Sequence, residues 1–190
     1  TQTADLNVTG ITFNNGWIGT YNMGNYNLTR TAALGLVIRG TFIHGSGTLT
    51  LSASSSFLTV NSSDATFTGG SGIVDILGTG STVMAGSANV TMPGTLKSEG
   101  NVSISSALAS FNHNSGTLEL AGTSGTKTIN LTQTMNNLSH TGAGTITSNS
   151  TGWTLDGTFT NSAGTADNVN FSNTYAGLAT ISGGTYNAPA

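Results

Sequence analysis

The stretch FIHGSGTLTL, from Phe42 to Leu51, decides the fold because it returns without gaps as FNHNSGTLEL from Phe111 to Leu120. A looser copy, FTGGSGIVDI, runs from Phe67 to Ile76, and FTNSAGT, from Phe159 to Thr165, is a fourth. In the first two of these copies, a phenylalanine is followed by a glycine-containing turn and then by alternating apolar and polar residues. The apolar residues of such an alternation share one face, which is typical of a half-buried strand. The chain is therefore predicted to consist of repeated short strands.

Glycines followed by Thr or Ile and then, in most cases, an apolar residue recur along the chain and set the length of the repeat. Their successive intervals are 28, 25, 22, 22, 28, 20 and 20 residues, and helical periodicity is absent. A period of about 23 residues without a helix is too short for a propeller blade and fits one coil of a β-solenoid. The glycines expected at equivalent points of the coils are Gly19, Gly47, Gly72, Gly94, Gly116, Gly144, Gly164 and Gly184.

We predict one all-β domain over residues 1–190, a parallel β-solenoid. Residues 41–190 form the repeats, and residues 1–40 are the least regular and supply an N-terminal strand or cap. With strands about 4.8 Å apart, eight coils make a rod on the order of 38 Å long. The alternative is a β-sandwich or jelly-roll filament subunit with an N-terminal donor strand. In the solenoid, equivalent side chains stack, and an internal aromatic row is expected from Phe42, Phe67, Phe111 and Phe159.

The composition excludes several classes of protein. Charged residues are 6% of the chain, and its four basic residues form no cluster, so nucleic-acid binding is not expected. No apolar run approaches the roughly 20 residues of a membrane-spanning helix. Cysteine is absent, which excludes disulfides and thiolate chemistry. A surface of Gly, Thr, Ser and Asn that depends little on pH or salt suits an extracellular or cell-surface location.

The segment from Phe111 to Tyr186 resembles the repeats of very large secreted bacterial proteins, the filamentous-haemagglutinin-like and autotransporter-type adhesins. The resemblance rests on FNHNSGTL at Phe111, MNNLSHTGAGT at Met135 and FTNSAGT at Phe159. It hardly touches residues 1–40. It implies a β-helical surface protein and carries no catalytic residue over.

Many β-helices degrade polysaccharides, and their sites need several carboxylates with a basic residue nearby. Of the seven acidic residues only Glu99 and Glu119 stand about one coil apart, with Lys97 and Lys127 near them. We interpret these as solvated side chains and expect no enzyme and no cofactor. The histidines His44, His113 and His140 raise the question of a metal site. His44 and His113 lie three coils apart, about 14 Å by strand spacing, which is too far to share one ion, and they are expected to cap turns by hydrogen bonding.

Thr-x-Thr pairs raise the hypothesis of ice binding, because a flat threonine array can serve that function. The array would have to recur once per coil, and along the sequence these pairs do not. We therefore attribute the threonines to β-propensity. The pairs are Thr48/Thr50, Thr66/Thr68, Thr126/Thr128, Thr145/Thr147 and Thr158/Thr160.

The ends of the chain lack the charged or helical caps that close monomeric solenoids. The sequence therefore predicts head-to-tail assembly with copies of itself in an extracellular fibre, filament or sheath. A carbohydrate-binding adhesin that recognises surface glycans is the alternative, with Trp17, Tyr21, Tyr26 and Trp153 as its plausible anchors. An ice-binding protein and a polysaccharide-degrading β-helix are less favoured. The predicted assembly residues are Leu6, Val8, Ile11 and Phe13.

Asn-x-Ser/Thr sequons are frequent, but a chain so rich in these residues produces several by chance. They are candidate glycosylation sites only. The nine asparagines are Asn7, Asn27, Asn61, Asn89, Asn101, Asn130, Asn137, Asn149 and Asn170.

Overall fold

The computed structural model describes residues 1–9, 19–148, 152–167 and 173–188. These residues form parallel strands stacked as a β-solenoid of about 8 turns, with no helix among them. Every strand pairing in the described part of the chain is parallel, and each turn passes through up to three strands. The predicted all-β solenoid is confirmed.

The first face is a nine-stranded sheet that runs the length of the described solenoid. Its strands are β1 (Leu6–Val8), β3 (Leu28–Arg30), β6 (Thr48–Leu51), β9 (Ile73–Ile76), β12 (Thr95–Ser98), β15 (Thr117–Leu120), β17 (Asn137–His140), β20 (Phe159–Asn161) and β23 (Ala179–Ile181).

The second face is an eight-stranded sheet. Its strands are β4 (Leu36–Ile38), β7 (Leu58–Val60), β10 (Thr82–Met84), β13 (Val102–Ile104), β16 (Thr126–Leu131), β18 (Thr145–Ser148), β21 (Thr165–Asp167) and β24 (Thr185–Asn187).

The third face is divided into two sheets. The larger one contains β2 (Thr20–Asn22), β5 (Thr41–Gly45), β8 (Thr66–Gly69), β11 (Asn89–Thr91) and β14 (Ser110–Asn112). The smaller one contains β19 (Thr154–Leu155) and β22 (Thr174–Tyr175), and Met135 bridges to Leu155 beside it. Sequence alternation builds all three faces, because successive side chains of a strand point inward and outward in turn.

The coil is slightly shorter than the predicted 23 residues, at about 21. Partners on the first face show the range, from 25 residues between Leu49 and Val74 to 20 between Leu118 and Leu138. Insertions of a few residues are accommodated at the corners, while the pairing on the first face stays in register.

The eight glycines do not mark one point of the coil. Gly47, Gly72, Gly94 and Gly116 precede strands of the first face, Gly144, Gly164 and Gly184 precede strands of the second, and Gly19 precedes a strand of the third. A β-carbon on Gly47 would lie 1.9 Å from the carbonyl oxygen of Tyr26 in the preceding coil. The Gly-Thr pair thus occurs at three different corners rather than one, and the glycine allows a close approach of backbones there.

Asparagine takes the place of the residue after this glycine in some coils of the first face, since Asn137 is in register with Thr117 and Asn27 precedes Leu28, the partner of Leu49. The carbonyl of Gly47 accepts the Ile73 N–H at 3.2 Å. Where the strand is not preceded by glycine, the Asn27 side-chain oxygen accepts the N–H of Thr48 at 2.9 Å, and Asn137 does the same for Thr158 at 2.9 Å. Gly-Thr and Asn are thus two solutions to one hydrogen-bonding requirement between coils.

Candidate functional site: the open ends, the outer ladders and the buried rows

The phenylalanines expected to form one internal row lie on two faces. On the third face, Phe42 and Phe67 are fully buried and stacked, with ring centroids 5.7 Å apart and planes at 12°. Phe111 belongs to the same column through Val90, but it is only half-buried.

Phe159 lies on the first face instead, in register with Leu138 and Ala179. The expected row of four is therefore corrected to a column of three with Val90 inside it, and Phe159 is excluded. The fourth sequence copy therefore begins one corner away from the others.

Phe159 is the centre of a separate aromatic cluster near the C-terminal end. Its ring centroid lies 5.8 Å from that of Trp153, 5.7 Å from that of Tyr175 and 5.7 Å from that of Tyr186. The Asn173 amide donates to the Tyr186 hydroxyl at 3.1 Å, and burial raises the pKa of Tyr175. This cluster completes the core below the last coil.

The aromatic anchors expected for a glycan-binding site do not form a common surface. Trp153 is fully buried, and the Tyr21 hydroxyl donates to the Gln2 side chain at 2.8 Å on the inner side of the first coil. Tyr26 is 40% exposed, and Trp17 lies outside the described residues. Trp153 could stack on a sugar only if its coil opened.

Three charged side chains form an outward ladder on neighbouring strands of the first face. Asp75 pairs in register with Lys97, and Lys97 with Glu119, whose carboxylate lies 3.9 Å from the ammonium group. Burial raises the pKa of Asp75, the Lys97 charge opposes that rise, and Glu119 adds to it. Opposite charges directly across neighbouring strands favour this register over a slipped one.

The carboxylates considered for catalysis are not brought together as a pair. Glu119 accepts a hydrogen bond from the Thr141 hydroxyl at 2.9 Å, whereas Glu99 lies just beyond the end of β12. Lys127 is on the second face, in β16. The arrangement therefore supplies an alternating charge ladder, and the pairing of Glu99 with Glu119 is not formed.

The three histidines occupy unrelated positions. His44 is buried, its Nε2 lies 3.1 Å from the Ile73 carbonyl oxygen, and burial lowers its pKa to about 4. His113 caps a turn by accepting the Ser115 N–H at 3.1 Å, as expected for a capping role, and it lies 3.2 Å from Asp156. Within the described ranges no three His, Cys, Asp or Glu side chains are grouped to hold a metal ion.

His140 belongs to a buried polar pair that the sequence did not reveal. Its Nδ1 lies 2.7 Å from the Asn161 side-chain oxygen, and both residues are fully buried in the inward column of the first face. Burial lowers the pKa of His140, and the hydrogen bond to Asn161 opposes that change. The sequence did contain a signal for this pair: His140 and Asn161 each stand two residues after an inward apolar residue, Leu138 or Phe159, and so occupy inward positions themselves.

Threonine pairs recur on neighbouring coils in one place, contrary to the expectation from spacing alone. On the second face Thr126 pairs with Thr145, and Thr128 with Thr147. The ladder continues through Thr165, but Asp167 then takes the place of the second threonine. The paired array thus covers two coils, and the other pairs are distributed over the first and third faces.

Both ends of the first face carry inward-pointing apolar residues that solvent reaches. In β1, Leu6 is 39% exposed and Val8 is half-buried. In β23, Ile181 is 44% exposed and Ala179 is also exposed, although the preceding residues of their columns, Phe159 and Asn161, are buried. Of the other predicted assembly residues, Ile11 and Phe13 lie outside the described part of the chain.

The candidate glycosylation sites differ in exposure. Asn7, Asn27, Asn61 and Asn101 are exposed, while Asn89, Asn130 and Asn137 are half-buried. Oxygens of Asn27, Asn101 and Asn137 accept backbone N–H groups of the next coil, so these amides have a structural role. Asn149 and Asn170 lie outside the described residues.

No known protein family, curated protein or solved structure matches this chain. Among the described residues, no helix has the length and apolar character needed to cross a membrane.

Proposed function

We propose that this chain is a structural segment of an extracellular or cell-surface fibre, and that it assembles head to tail through its end strands. The observation that carries the proposal is the exposure of inward residues at the two ends of the first face. Ile181 and Leu6 are 44% and 39% exposed at positions whose equivalents inside the solenoid are buried. Covering this surface with another coil would be favourable at roughly 25 cal/mol per Å² of apolar area.

The lack of charge along β22, β23 and β24 supports the same function. Residues 173–188 contain no Asp, Glu, Lys or Arg. Proteins that must stay monomeric protect a sheet edge with charges, prolines or a covering segment. A head-to-tail contact uses two different surfaces and generates an open filament when it does not close into a ring.

The extracellular location is supported by composition. The chain has 6% charged residues and no cysteine, and its outward columns are dominated by threonine, serine and asparagine. Such a surface stays hydrated without depending on ionisation. No catalytic role is proposed, since Glu99 and Glu119 do not meet. Glycan recognition has less support, because Trp153 is buried.

Two substitutions on the same end strand test the proposed assembly. Ile181→Lys puts a charge on the inward side of β23, and Thr180→Lys puts the same charge on its outward side. Light scattering and electron microscopy over a range of concentrations should show filaments for the parent chain and for Thr180→Lys, and single particles for Ile181→Lys. Removing residues 1–13 should abolish assembly before it abolishes folding. A monomeric parent chain at all concentrations would refute the proposal.

A further inference from the structure

We infer that the filament contact is a parallel pairing of β23 with β1 of a second copy, in the register Ala179 with Leu6, Thr180 with Asn7 and Ile181 with Val8. This inference rests on the proposed function, and it goes further by naming the strands, the register and the occupant. It makes the first face a single sheet that continues from one copy into the next.

The backbone groups of β23 define one half of the contact. Towards β20, the Leu178 carbonyl accepts the N–H of Phe159 at 3.2 Å, and the N–H of Ser182 donates to Asn161 at 2.9 Å. In a parallel ladder, alternate residues direct their backbone groups to opposite sides. The N–H and C=O groups of Ala179 and Ile181 therefore face the outer edge of the sheet.

The backbone groups of β1 define the complementary half. Leu6 donates its N–H to the Asn27 carbonyl at 2.9 Å, and the Val8 carbonyl accepts the N–H of Thr31 at 3.0 Å. Both residues are thus engaged with the first face of their own copy, and the groups of Asn7 are directed to the outer edge. The free backbone groups thus belong to the residues with inward side chains in β23, and to the residue with an outward side chain in β1.

The same alternation of hydrogen-bonding residues joins neighbouring strands within the first face. Leu6 and Val8 use their groups towards β3, as Phe159 and Asn161 do towards β23. Ala179 and Ile181 would act in the same way towards β1 of a second copy. If the register shifted by one residue, the outward-directed N–H and C=O groups of the two strands would no longer meet, and the apolar side chains of one strand would point outward.

The side chains agree with the same register. Both strands read apolar, polar, apolar, as Leu6-Asn7-Val8 and Ala179-Thr180-Ile181. The inward pairs would combine a small residue with a large one at Ala179 and Leu6, and two β-branched residues at Ile181 and Val8. The outward pair would join Thr180 to Asn7, which repeats the existing pairing of Asn7 with Thr29. No charge opposes a like charge.

Cysteine cross-linking tests the register directly, because the chain has no cysteine of its own. Directly paired residues on neighbouring strands lie about 4.8 Å apart, within the range that a disulfide spans. The Thr180→Cys chain would be mixed with an Asn7→Cys chain under mild oxidation. The control mixture contains Thr180→Cys and Thr9→Cys, whose outward side chain lies two residues farther along, at a separation of about 8 Å.

We expect nearly complete conversion to the mixed disulfide dimer with Asn7→Cys and only background cross-linking with Thr9→Cys. All three positions point outward, and circular dichroism checks that each variant folds. Equal cross-linking in both mixtures, or more with Thr9→Cys, would overturn the register. Filaments without either cross-link would overturn the strand assignment and leave the proposed function standing. Absence of both filaments and cross-links would overturn the two together.

Discussion

The coils up to β15 and the coils after it follow the same rule of construction but enclose their interiors differently. On the first face, Val74, Leu96 and Leu118 are spaced by 22 residues, whereas Leu118 and Leu138 are only 20 apart. After β15 the third face contains the two-residue strands β19 and β22.

The interior also differs between the two regions. The earlier coils stack Phe42 on Phe67 and bury single polar residues such as Arg30 and Ser98, while the later coils contain the buried, hydrogen-bonded pair of His140 and Asn161. In the last coil Ala179 and Ile181 are exposed, whereas Tyr175 and Tyr186 are half-buried against the core. Coil length alone does not account for this difference, because the coils from Leu28 to Leu49 and from Leu138 to Phe159 are both 21 residues long.

The largest expected difference is between Phe67 and Phe111, which share one column of the third face. Phe67→Asp places a charge in a fully buried stack, and we expect it to prevent folding or to cost more than about 4 kcal/mol. Phe111→Asp is expected to be destabilising but milder, because its side chain is half-buried. Urea and thermal melts compare the two. Equal losses of stability in the two variants would contradict the lower burial of Phe111 compared with Phe67.

A pair of glycines isolates the effect of stacking between coils. Gly164 and Gly125 both have positive φ, 60° and 66°, but a β-carbon on Gly164 would lie 2.1 Å from the Gly144 carbonyl oxygen. The corresponding position at Gly125 has no atom within 4 Å. Gly125→Ala should cost about 1–2 kcal/mol from its left-handed backbone, and Gly164→Ala clearly more. Chemical denaturation measures both, and similar costs would contradict close backbone packing at this corner.

The buried histidines are expected to make both regions sensitive to acid. The pKa of His44 falls from 6.5 to about 4, so its neutral form is favoured in the fold. The associated stability is complete above pH 6.5 and is lost as the pH falls towards 4, by about 3 kcal/mol. His44→Phe keeps an aromatic ring beside Phe67 and should flatten this dependence. Unchanged slopes in urea titrations between those pH values would refute the assignment to His44.

His140 allows the same comparison in the later coils. Its pKa is also lowered by burial, so acid should weaken these coils as pH falls below the ordinary range of histidine. Hydrogen exchange of β17 and β20 should accelerate on acidification, and His140→Asn should remove that response. Acid-insensitive exchange in the parent chain would contradict the burial of the pair.

The sequence correctly predicted the repeats whose Gly-Thr or Gly-Ile pair precedes a strand of the first face. The two copies beginning at Phe42 and Phe111 fall in register, since Thr48, Ile73, Thr95 and Thr117 are successive partners. The alternating pattern was sufficient to predict these strands, because an apolar residue occupies the inward position in each of them.

The phase of the fourth copy could not be predicted in the same way. FTNSAGT places Phe159 on the first face and its glycine at the corner before the second face, and the local pattern is the same at both corners. The inward position of His140 was also hidden, because a polar residue on an alternating strand is normally read as outward. The local motif alone therefore distinguishes neither case.

The smallest expected effect belongs to the charge ladder. Burial raises the pKa of Asp75, so its ionised form is disfavoured in the fold once the pH exceeds that pKa. Asp75→Asn should therefore be neutral or slightly stabilising at pH 7, within about 1 kcal/mol, and indistinguishable from the parent in acid. Thermal melts at both pH values check this, with Glu119→Gln as the control for loss of the exposed ion pair. A large loss on Asp75→Asn would show that the ladder is essential.

Diffraction from aligned filaments tests the central claim most directly, because it gives the direction in which the coils stack. Head-to-tail assembly through β23 and β1 predicts a reflection at about 4.8 Å along the filament axis, with the strands perpendicular to it. The same reflection perpendicular to the axis would mean that the solenoids associate side by side, and it would contradict assembly through their ends.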